Sequence, residues 1–222
     1  MSALGVVTGF AAEARCLDRI GARVVCAGAS AERARVGAAR LLEDGVSALV
    51  SFGVAGGLQP GLTPGRLILA DAVLTPSGQR LPTMVDWREK LAAAAAAEPL
   101  RGTVVGSDHL VATSAAKQAL FEATDALAVD MESHSVAEVA TAAGVPFLAV
   151  RAIADPFDQT ISPVAWSGLG PDGRIRPLEA MKGLLRRPGE LPAVLRLGRQ
   201  TARALAALRR LVALAPPDFG LT

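Results

Sequence analysis

Short apolar runs alternate with segments of helical character along this chain. Runs rich in Val, Leu and Ala predict β-strands, and they lie at residues 4–8, 23–27, 48–52, 67–74, 103–105, 126–129 and 147–153. Helical spacing of apolar residues, or high helix propensity, predicts helices at 31–43, 87–98, 178–187 and 191–215. Glycine or acidic residues follow several of the strands, so the candidate chemistry is concentrated at strand ends.

The stretch 126–155 is the most informative part of this pattern. An apolar run at 126–129 precedes Glu132, a helical segment follows, and a second apolar run at 147–153 precedes Asp155. A crossover of this length predicts that the two strands are parallel. Because the carboxyl ends of parallel strands share one edge, where open α/β sheets bind ligands, we expect Glu132 and Asp155 to lie close together.

Two carboxylates in an apolar setting are costly to bury unless they bind something. A sugar with neighbouring hydroxyls, and a leaving group that needs a proton, would suit them. The alternative interpretation is structural. Glu132 would then stabilise the first turn of its helix, and Asp155 would begin a turn before Pro156.

Composition narrows the class of protein. The chain has 222 residues, of which 51% are hydrophobic and 4% aromatic, which predicts one domain with a core of Ala, Val and Leu. A net charge of +2 with dispersed Arg argues against nucleic-acid binding. Cys16 and Cys26 are expected to be buried thiols, which is typical of a cytoplasmic protein. The amino-terminal apolar run lacks the features of a signal peptide, and no run is long enough to cross a bilayer.

Four segments resemble one protein superfamily. V-D-M-E at 129–132 and V-R-A-I-A-D at 150–155 resemble the V-E-M-E and R-A-I-S-D signatures of the purine nucleoside phosphorylase and 5'-methylthioadenosine/S-adenosylhomocysteine nucleosidase superfamily. G-V-A-G-G-L at 53–58 and G-S-D-H-L-V at 106–111 resemble its G-S-A-G-G-L and S-G-D-A-F-I segments. Val54 departs from the pattern, since a hydroxyl residue is usual there.

The resemblance implies both a fold and a reaction. The fold is α/β, a single-domain mixed twisted sheet flanked by helices, of the nucleoside phosphorylase/hydrolase type, over residues 1–222. A homodimer is implied as well. The reaction is cleavage of the N-glycosidic bond of an adenine nucleoside through an oxocarbenium-like state, with no metal or organic cofactor.

Individual site residues follow from the matched motifs. The resemblance implies that Glu132 holds the ribose 2' and 3' hydroxyls and that Met131 packs against the sugar. Asp155 would protonate, or hydrogen-bond to, N7 of the leaving base, and Glu13 matches the glutamate that positions the attacking water in nucleosidases. The residues expected to line the base and the reacting centre are Ala55, Gly56, Leu110 and Val111, with Leu110 in place of the usual aromatic residue.

A phosphate co-substrate is also predicted. Gly28 and Ser30 form a small-residue turn that enters a helix, a natural anion site, with Arg33 one turn on and Gly53 at a neighbouring strand end. Glu13 argues for water instead, because its charge would repel a nearby phosphate. Phosphorolysis is the first interpretation and hydrolysis the alternative. A non-catalytic nucleoside-binding module is an alternative of another class.

Within the superfamily the chain most resembles the hopanoid-associated phosphorylases, which are assigned the release of adenine from adenosylhopane. This implies a lipid-linked substrate and a cytoplasmic protein that contacts the inner face of the membrane. The candidate contact is 191–215, part of an Arg-rich helical segment at 178–215. The competing interpretation is that its leucines cover the sheet and only its arginines face outward.

Overall fold

One sheet organises the molecule. The computed structural model describes residues 4–170, 172–174 and 176–221. Within them a nine-stranded sheet is present. Its strands are β1 (Leu4–Thr8), β2 (Arg23–Cys26), β3 (Ala48–Gly57), β4 (Leu67–Leu69), β5 (Ala72–Leu74), β6 (Arg80–Pro82), β7 (Thr103–Gly106), β8 (Ala128–Asp130) and β9 (Phe147–Asp155).

Helices connect most of these strands. They are α1 (Ala11–Ala14), α2 (Ala31–Glu43), α3 (Val85–Ala93), α4 (Ser114–Thr124), α5 (Ser133–Ala143), α6 (Pro163–Ser167), α7 (Pro177–Arg186) and α8 (Leu191–Leu214). Their ends follow familiar capping chemistry: the Thr113 hydroxyl accepts a hydrogen bond from the Ala116 N–H at the start of α4, and Gly144 ends α5 with φ of 66°.

The alanine-rich helix is shorter than the sequence predicts. We expected it to reach residue 98, but α3 ends at Ala93. The chain must leave the helix there because the Leu100 N–H donates to the Leu67 carbonyl at 2.9 Å, alongside β4. Tertiary pairing therefore overrides the helix propensity of the last alanines.

Strand β3 lies at the centre of the sheet. The strand order is β2-β1-β3-β8-β7-β5-β6, and β9 pairs with β3 and β4. Strand β3 is parallel to β1 and β9 but antiparallel to β8, which it meets at Gly56 and Gly57. The prediction that β8 and β9 are parallel is therefore wrong. Because β3 is ten residues long, its first half pairs with β1 and its end with β8, and the sheet is mixed.

Helices cover both faces of this sheet. One face packs with α2 and α5 through residues that include Ala38, Leu41, Val136 and Ala140. The other packs with α8, whose buried residues are Ala204, Leu208, Leu211 and Val212. The first half of α8 contributes no fully buried side chain. The second half of α8 therefore covers the sheet, as the competing interpretation of 191–215 predicts, and membrane contact by this segment stays a prediction.

Candidate active site

Among the described residues four carboxylates are buried at the ends of the central strands, and one of them, Asp130, is paired with Arg151. Glu13 is on α1 just after β1 and is 1% exposed, Glu132 follows β8 and is 7% exposed, and Asp155 ends β9 and is 6% exposed. A β-bulge places Asp155 opposite Gly56 on β3, since Ala55 pairs with Ile153 and the register then skips one residue of β9. Different chain segments therefore deliver three acids to the region around the end of β3.

Glycines provide the space for these acids. The sequence suggested close approach of the backbone to a ligand, and in the structure the closest neighbours of these glycines are the carboxylates themselves. A Cβ atom built at Gly9, Gly53 or Gly56 would lie 2.7, 2.6 or 3.1 Å from an oxygen of Glu132, Glu13 or Asp155, respectively. A larger residue at the first two positions would displace the acid.

Glu13 is fixed by backbone donors. Its Oε2 accepts hydrogen bonds from the Gly9 N–H at 2.9 Å and the Phe10 N–H at 2.7 Å, and its Oε1 accepts from the Val54 N–H at 2.7 Å. Burial raises the pKa of Glu13 to about 7, although these hydrogen bonds lower it. A carboxylate with such a pKa can accept or release a proton near neutral pH.

Glu132 sits where a buried charge is unfavourable. Burial, together with the neighbouring charge of Asp130, raises the pKa of Glu132 to about 8, and Glu13 adds to the effect. Its backbone is held firmly, because the Glu132 N–H donates to Asp130 Oδ1 at 2.9 Å. The site therefore presents two acids, Glu13 and Glu132, whose charged forms would be stabilised by a ligand that donates hydrogen bonds.

A buried ion pair supports this arrangement. Arg151 Nε donates to Asp130 Oδ2 at 2.5 Å, and Arg151 Nη2 donates to Ser51 Oγ at 2.5 Å and Ser133 Oγ at 2.8 Å. Burial opposes the charge on Asp130, but Arg151 and the Ser133 hydrogen bonds outweigh it and hold the pKa of Asp130 below its usual range. This network links β3, β8, α5 and β9 directly behind Glu132.

Asp155 is paired with a lysine that sequence reasoning missed. Lys117 Nζ on α4 lies 2.5 Å from Asp155 Oδ2, and the lysine is fully buried. A signal for it was present in the sequence, because Lys117 shares one face of a helix with Leu120 and Phe121. A lone lysine on an apolar stripe indicates a buried partner.

The other residues predicted to contact substrate lie around the same region. Met131, Leu110 and Val111 are partly buried. Val111 packs against the small cluster that contains Leu58. The loop that carries Leu110 and Val111 is joined to the chain beyond β9, because the Ile161 N–H donates to the Ala112 carbonyl at 2.8 Å. Ala55 is buried and Gly56 is partly buried on β3. Strand β3 pairs with β9, which ends at Asp155.

The residues predicted to bind phosphate are engaged in other contacts. Arg33 folds back on its own turn, with Nε donating to the Ala27 carbonyl at 2.5 Å and Nη2 to the Gly28 carbonyl at 2.6 Å. Ser30 caps α2 by accepting from the Arg33 N–H. Gly53 lies against the Glu13 carboxylate. The turn is formed as the sequence predicts, but the Arg33 guanidinium donates to carbonyl groups of the protein.

Comparison with known proteins identifies relatives. Residues 19–166 match the family described as the phosphorylase superfamily. Futalosine hydrolase of Streptomyces coelicolor is 34% identical over 125 residues, which are 49% of this chain and 53% of that protein. The chain thus spans about half the length of this curated relative.

Solved structures agree with the fold. Futalosine hydrolase of Helicobacter pylori has a TM-score of 0.69 at 17% identity, covering 95% of this chain and 97% of that chain. The 5'-methylthioadenosine/S-adenosylhomocysteine nucleosidase of Helicobacter pylori with butyl-thio-DADMe-Immucillin-A has a TM-score of 0.69 at 17% identity, covering 96% and 98%. The mixed sheet flanked by helices predicted from the sequence is confirmed.

Proposed function

The chain belongs to the phosphorylase superfamily, and we propose that it hydrolyses the N-glycosidic bond of a 5'-substituted purine nucleoside. The observation that carries the proposal is the set of three buried acids, Glu13, Glu132 and Asp155, gathered around the end of β3. Burial makes the charged forms of Glu13 and Glu132 unfavourable, and a nucleoside with its attacking water offers each of the three acids a partner.

Each acid has a distinct task. The Glu132 carboxylate accepts hydrogen bonds from the ribose 2' and 3' hydroxyls, and these bonds strengthen as positive charge develops on the ring. Asp155 donates a proton to N7 of the purine, which makes the base a better leaving group. Met131, next to Glu132, packs against the sugar.

Water is favoured over phosphate as the nucleophile. The Glu13 carboxylate lies against Gly53 and would repel a phosphate placed there. The Arg33 guanidinium already donates to two carbonyls. In addition, the relatives that match are named as hydrolases or nucleosidases. Glu13 is then the base that takes a proton from the attacking water, and the predicted phosphate at Gly28, Ser30, Arg33 and Gly53 is the competing outcome of the test.

Two kinds of similarity bear on the 5' substituent of the nucleoside. The resemblance to hopanoid-associated phosphorylases favours adenosylhopane, with a large apolar substituent. The matched proteins are named for futalosine and for methylthioadenosine or S-adenosylhomocysteine. We propose adenine nucleosides with an apolar 5' group as the preferred class, and the substrate panel below compares them directly.

Mass spectrometry of the products tests the reaction. The purified protein is incubated with adenosylhopane, methylthioadenosine and futalosine in ¹⁸O-water, with and without millimolar phosphate. We expect a free purine base and a sugar labelled at the anomeric carbon, with or without phosphate. A sugar 1-phosphate would show phosphorolysis, and no base release from any of the three by protein that is folded by circular dichroism would refute the proposed reaction. Asp155→Asn should release base at least about 100-fold more slowly.

A surface suited to a membrane lies on α7 and the first half of α8. We name it the α7–α8 apolar face. Its exposed apolar residues are Leu178, Met181, Leu185, Leu191 and Leu195. Its exposed basic residues are Lys182, Arg186, Arg187 and Arg196. Glu179 and Glu190 offset part of this charge. None of the helices in the described ranges is long and apolar enough to span a membrane.

We propose that this face binds an anionic bilayer surface. Leu178, Met181 and Leu185 recur at helical spacing, and Leu185 is 77% exposed, so the stripe is available for shallow insertion. The surrounding basic side chains complement anionic headgroups. The proposed membrane contact therefore covers α7 and the first half of α8 instead of the whole of 191–215, because the second half of α8 packs in the core.

Sedimentation with liposomes tests the surface. Deleting α8 would remove Leu208 and Leu211 from the core, so point substitutions are the appropriate tool. The wild type should sediment with anionic vesicles at low salt, Leu185→Glu should not, and Leu214→Glu at the far end of α8 should behave as the wild type. A wild type that stays in the supernatant refutes the proposal. If Leu185→Glu instead turns a dimer into a monomer, the face joins two copies of the chain.

A further inference from the structure

Lys117 on α4 is held by three acceptors at the end of β9 and in the turn that follows. The side chain is fully buried, and Nζ lies 2.5 Å from Asp155 Oδ2. Nζ also donates to the Pro156 carbonyl at 2.8 Å and the Gln159 carbonyl at 2.9 Å. The three hydrogens of an ammonium group are thus matched by three acceptors.

The lysine reaches Asp155 from a separate part of the chain. It lies in the middle of α4, whereas Asp155, Pro156 and Gln159 belong to the end of β9 and the turn that follows. A buried ion pair is seldom the most stable way to fill such a space, because apolar residues of similar volume often do as well or better. Its presence at one of the three acids points to a role in the reaction.

We propose that Lys117 is a positioning residue that makes Asp155 an effective proton donor to the purine, and this rests on the proposed N-glycosidic cleavage. As the C1'–N9 bond breaks, its electron pair passes to the base, and N7 takes the proton of the Asp155 carboxyl group. Asp155 becomes a carboxylate beside the ammonium group. The step therefore ends in the ion pair that the structure shows, and the proton that Glu13 takes from the attacking water returns to Asp155 through solvent after the products leave.

Within the substrate complex, in which Asp155 is protonated, this arrangement stabilises the transition state of proton transfer more than the state that precedes it. The ammonium charge interacts weakly with a neutral carboxyl group and strongly with the carboxylate that develops during transfer. The carbonyls of Pro156 and Gln159 prevent the lysine from moving away when Asp155 is neutral. Lys117 thereby contributes to the leaving-group step and not to the binding of the sugar.

Lys117→Met tests this role, because methionine preserves the apolar stem and removes the charge. On the best purine nucleoside of the panel we expect kcat to fall by about 100-fold, with KM changed by less than about threefold. On p-nitrophenyl β-D-ribofuranoside, whose nitrophenolate leaves without a proton, kcat should change by less than about fivefold. Lys90→Met, on the exposed surface of α3, is the matched control and should behave as the wild type.

A double variant separates a mechanistic role from a structural one. In an Asp155→Asn background, Lys117→Met should lower purine turnover by less than about threefold, since both residues act in one step. Equal losses on the two leaving groups, an unchanged kcat on the purine, or a full further loss in the Asp155→Asn background would each overturn the inference. A wild type without purine release would instead refute the proposed function.

Discussion

The contact between Gly53 and Glu13 allows the site to be perturbed by a single methyl group. In Gly53→Ala the new Cβ would lie 2.6 Å from Oε1, 2.7 Å from Cδ and 2.8 Å from Oε2 of Glu13. Carbon and oxygen atoms do not approach this closely, so the carboxylate must move. The backbone at Gly53 is that of an ordinary β-strand, so the collision with Glu13 is the dominant effect.

The size of the effect follows from the hydrogen bonds that hold Glu13. Moving the carboxylate breaks the 2.7 Å bond from the Val54 N–H and weakens those from Gly9 and Phe10. Hydrogen bonds to charged groups contribute about 1.5–3 kcal/mol each, so we expect a loss of about 3 kcal/mol. For a domain of this size that corresponds to a fall in Tm of roughly 6–12 °C.

A double-mutant cycle isolates the collision. In a Glu13→Ala background there is no carboxylate to displace, so adding Gly53→Ala should change the free energy of unfolding by less than about 1 kcal/mol. Gly198→Ala is the control, since its Cβ would meet nothing within 4 Å in α8, and it should be neutral or stabilise by up to about 1 kcal/mol. Melting by circular dichroism measures the four proteins of the cycle and the Gly198→Ala control. If Gly53→Ala costs the same with and without Glu13, the geometric reasoning is wrong.

The buried charges and the divided α8 helix give three further expectations. Burial raises the pKa values of Glu13 and Glu132 from 4.5 to about 7 and about 8, so the folded protein keeps protons that the unfolded chain releases. The free energy of unfolding should therefore fall as pH rises from about 5 to about 8, and Glu132→Gln should make that fall less steep. Stability profiles of equal slope for the wild type and Glu132→Gln would contradict this expectation. Arg151→Met leaves Asp130 buried without its cation and should cost about 3–5 kcal/mol in urea denaturation; a cost below about 1 kcal/mol would count against the network. Leu208→Ala should lower the free energy of unfolding by about 2–5 kcal/mol, and Leu195→Ala, at an exposed leucine, should lower it much less. Equal losses would refute the division of α8 into an exposed first half and a buried second half.

Much of the site could be predicted because acidic residues follow the apolar runs that predict strands. Glu132 and Asp155 each follow an apolar run, and the structure buries both around the end of β3, as the pattern of strands suggested. The route was nevertheless different from the one expected. The crossover length predicted parallel strands, whereas the long β3 lies between β8 and β9 and is antiparallel to the first. Sequence periodicity identifies strands but does not report which strand a long neighbour pairs with.

The rest depends on contacts between distant segments. Lys117 and Asp155 are 38 residues apart, and only the folded arrangement of α4 against the end of β9 reveals their pairing. Arg33 shows the opposite case. Its position one turn into a helix suggested an anion site, but its guanidinium satisfies the Ala27 and Gly28 carbonyls that the left-handed turn leaves free. Local sequence defines the turn, and the direction of a long side chain is decided by acceptors within reach.

The position of α8 in the chain also affects how the protein reaches its folded state during synthesis. Every described strand precedes α8, so a ribosome completes the sheet before the helix that covers one of its faces. Until Ala204 to Val212 emerge, the cluster that contains the apolar residues Phe52, Leu148 and Val150 lacks the contacts that α8 supplies. Such transiently exposed surface promotes association between nascent chains. Synthesis that halts before Ala204 should therefore yield an aggregating chain, and chaperones that bind apolar surfaces should be needed up to that point.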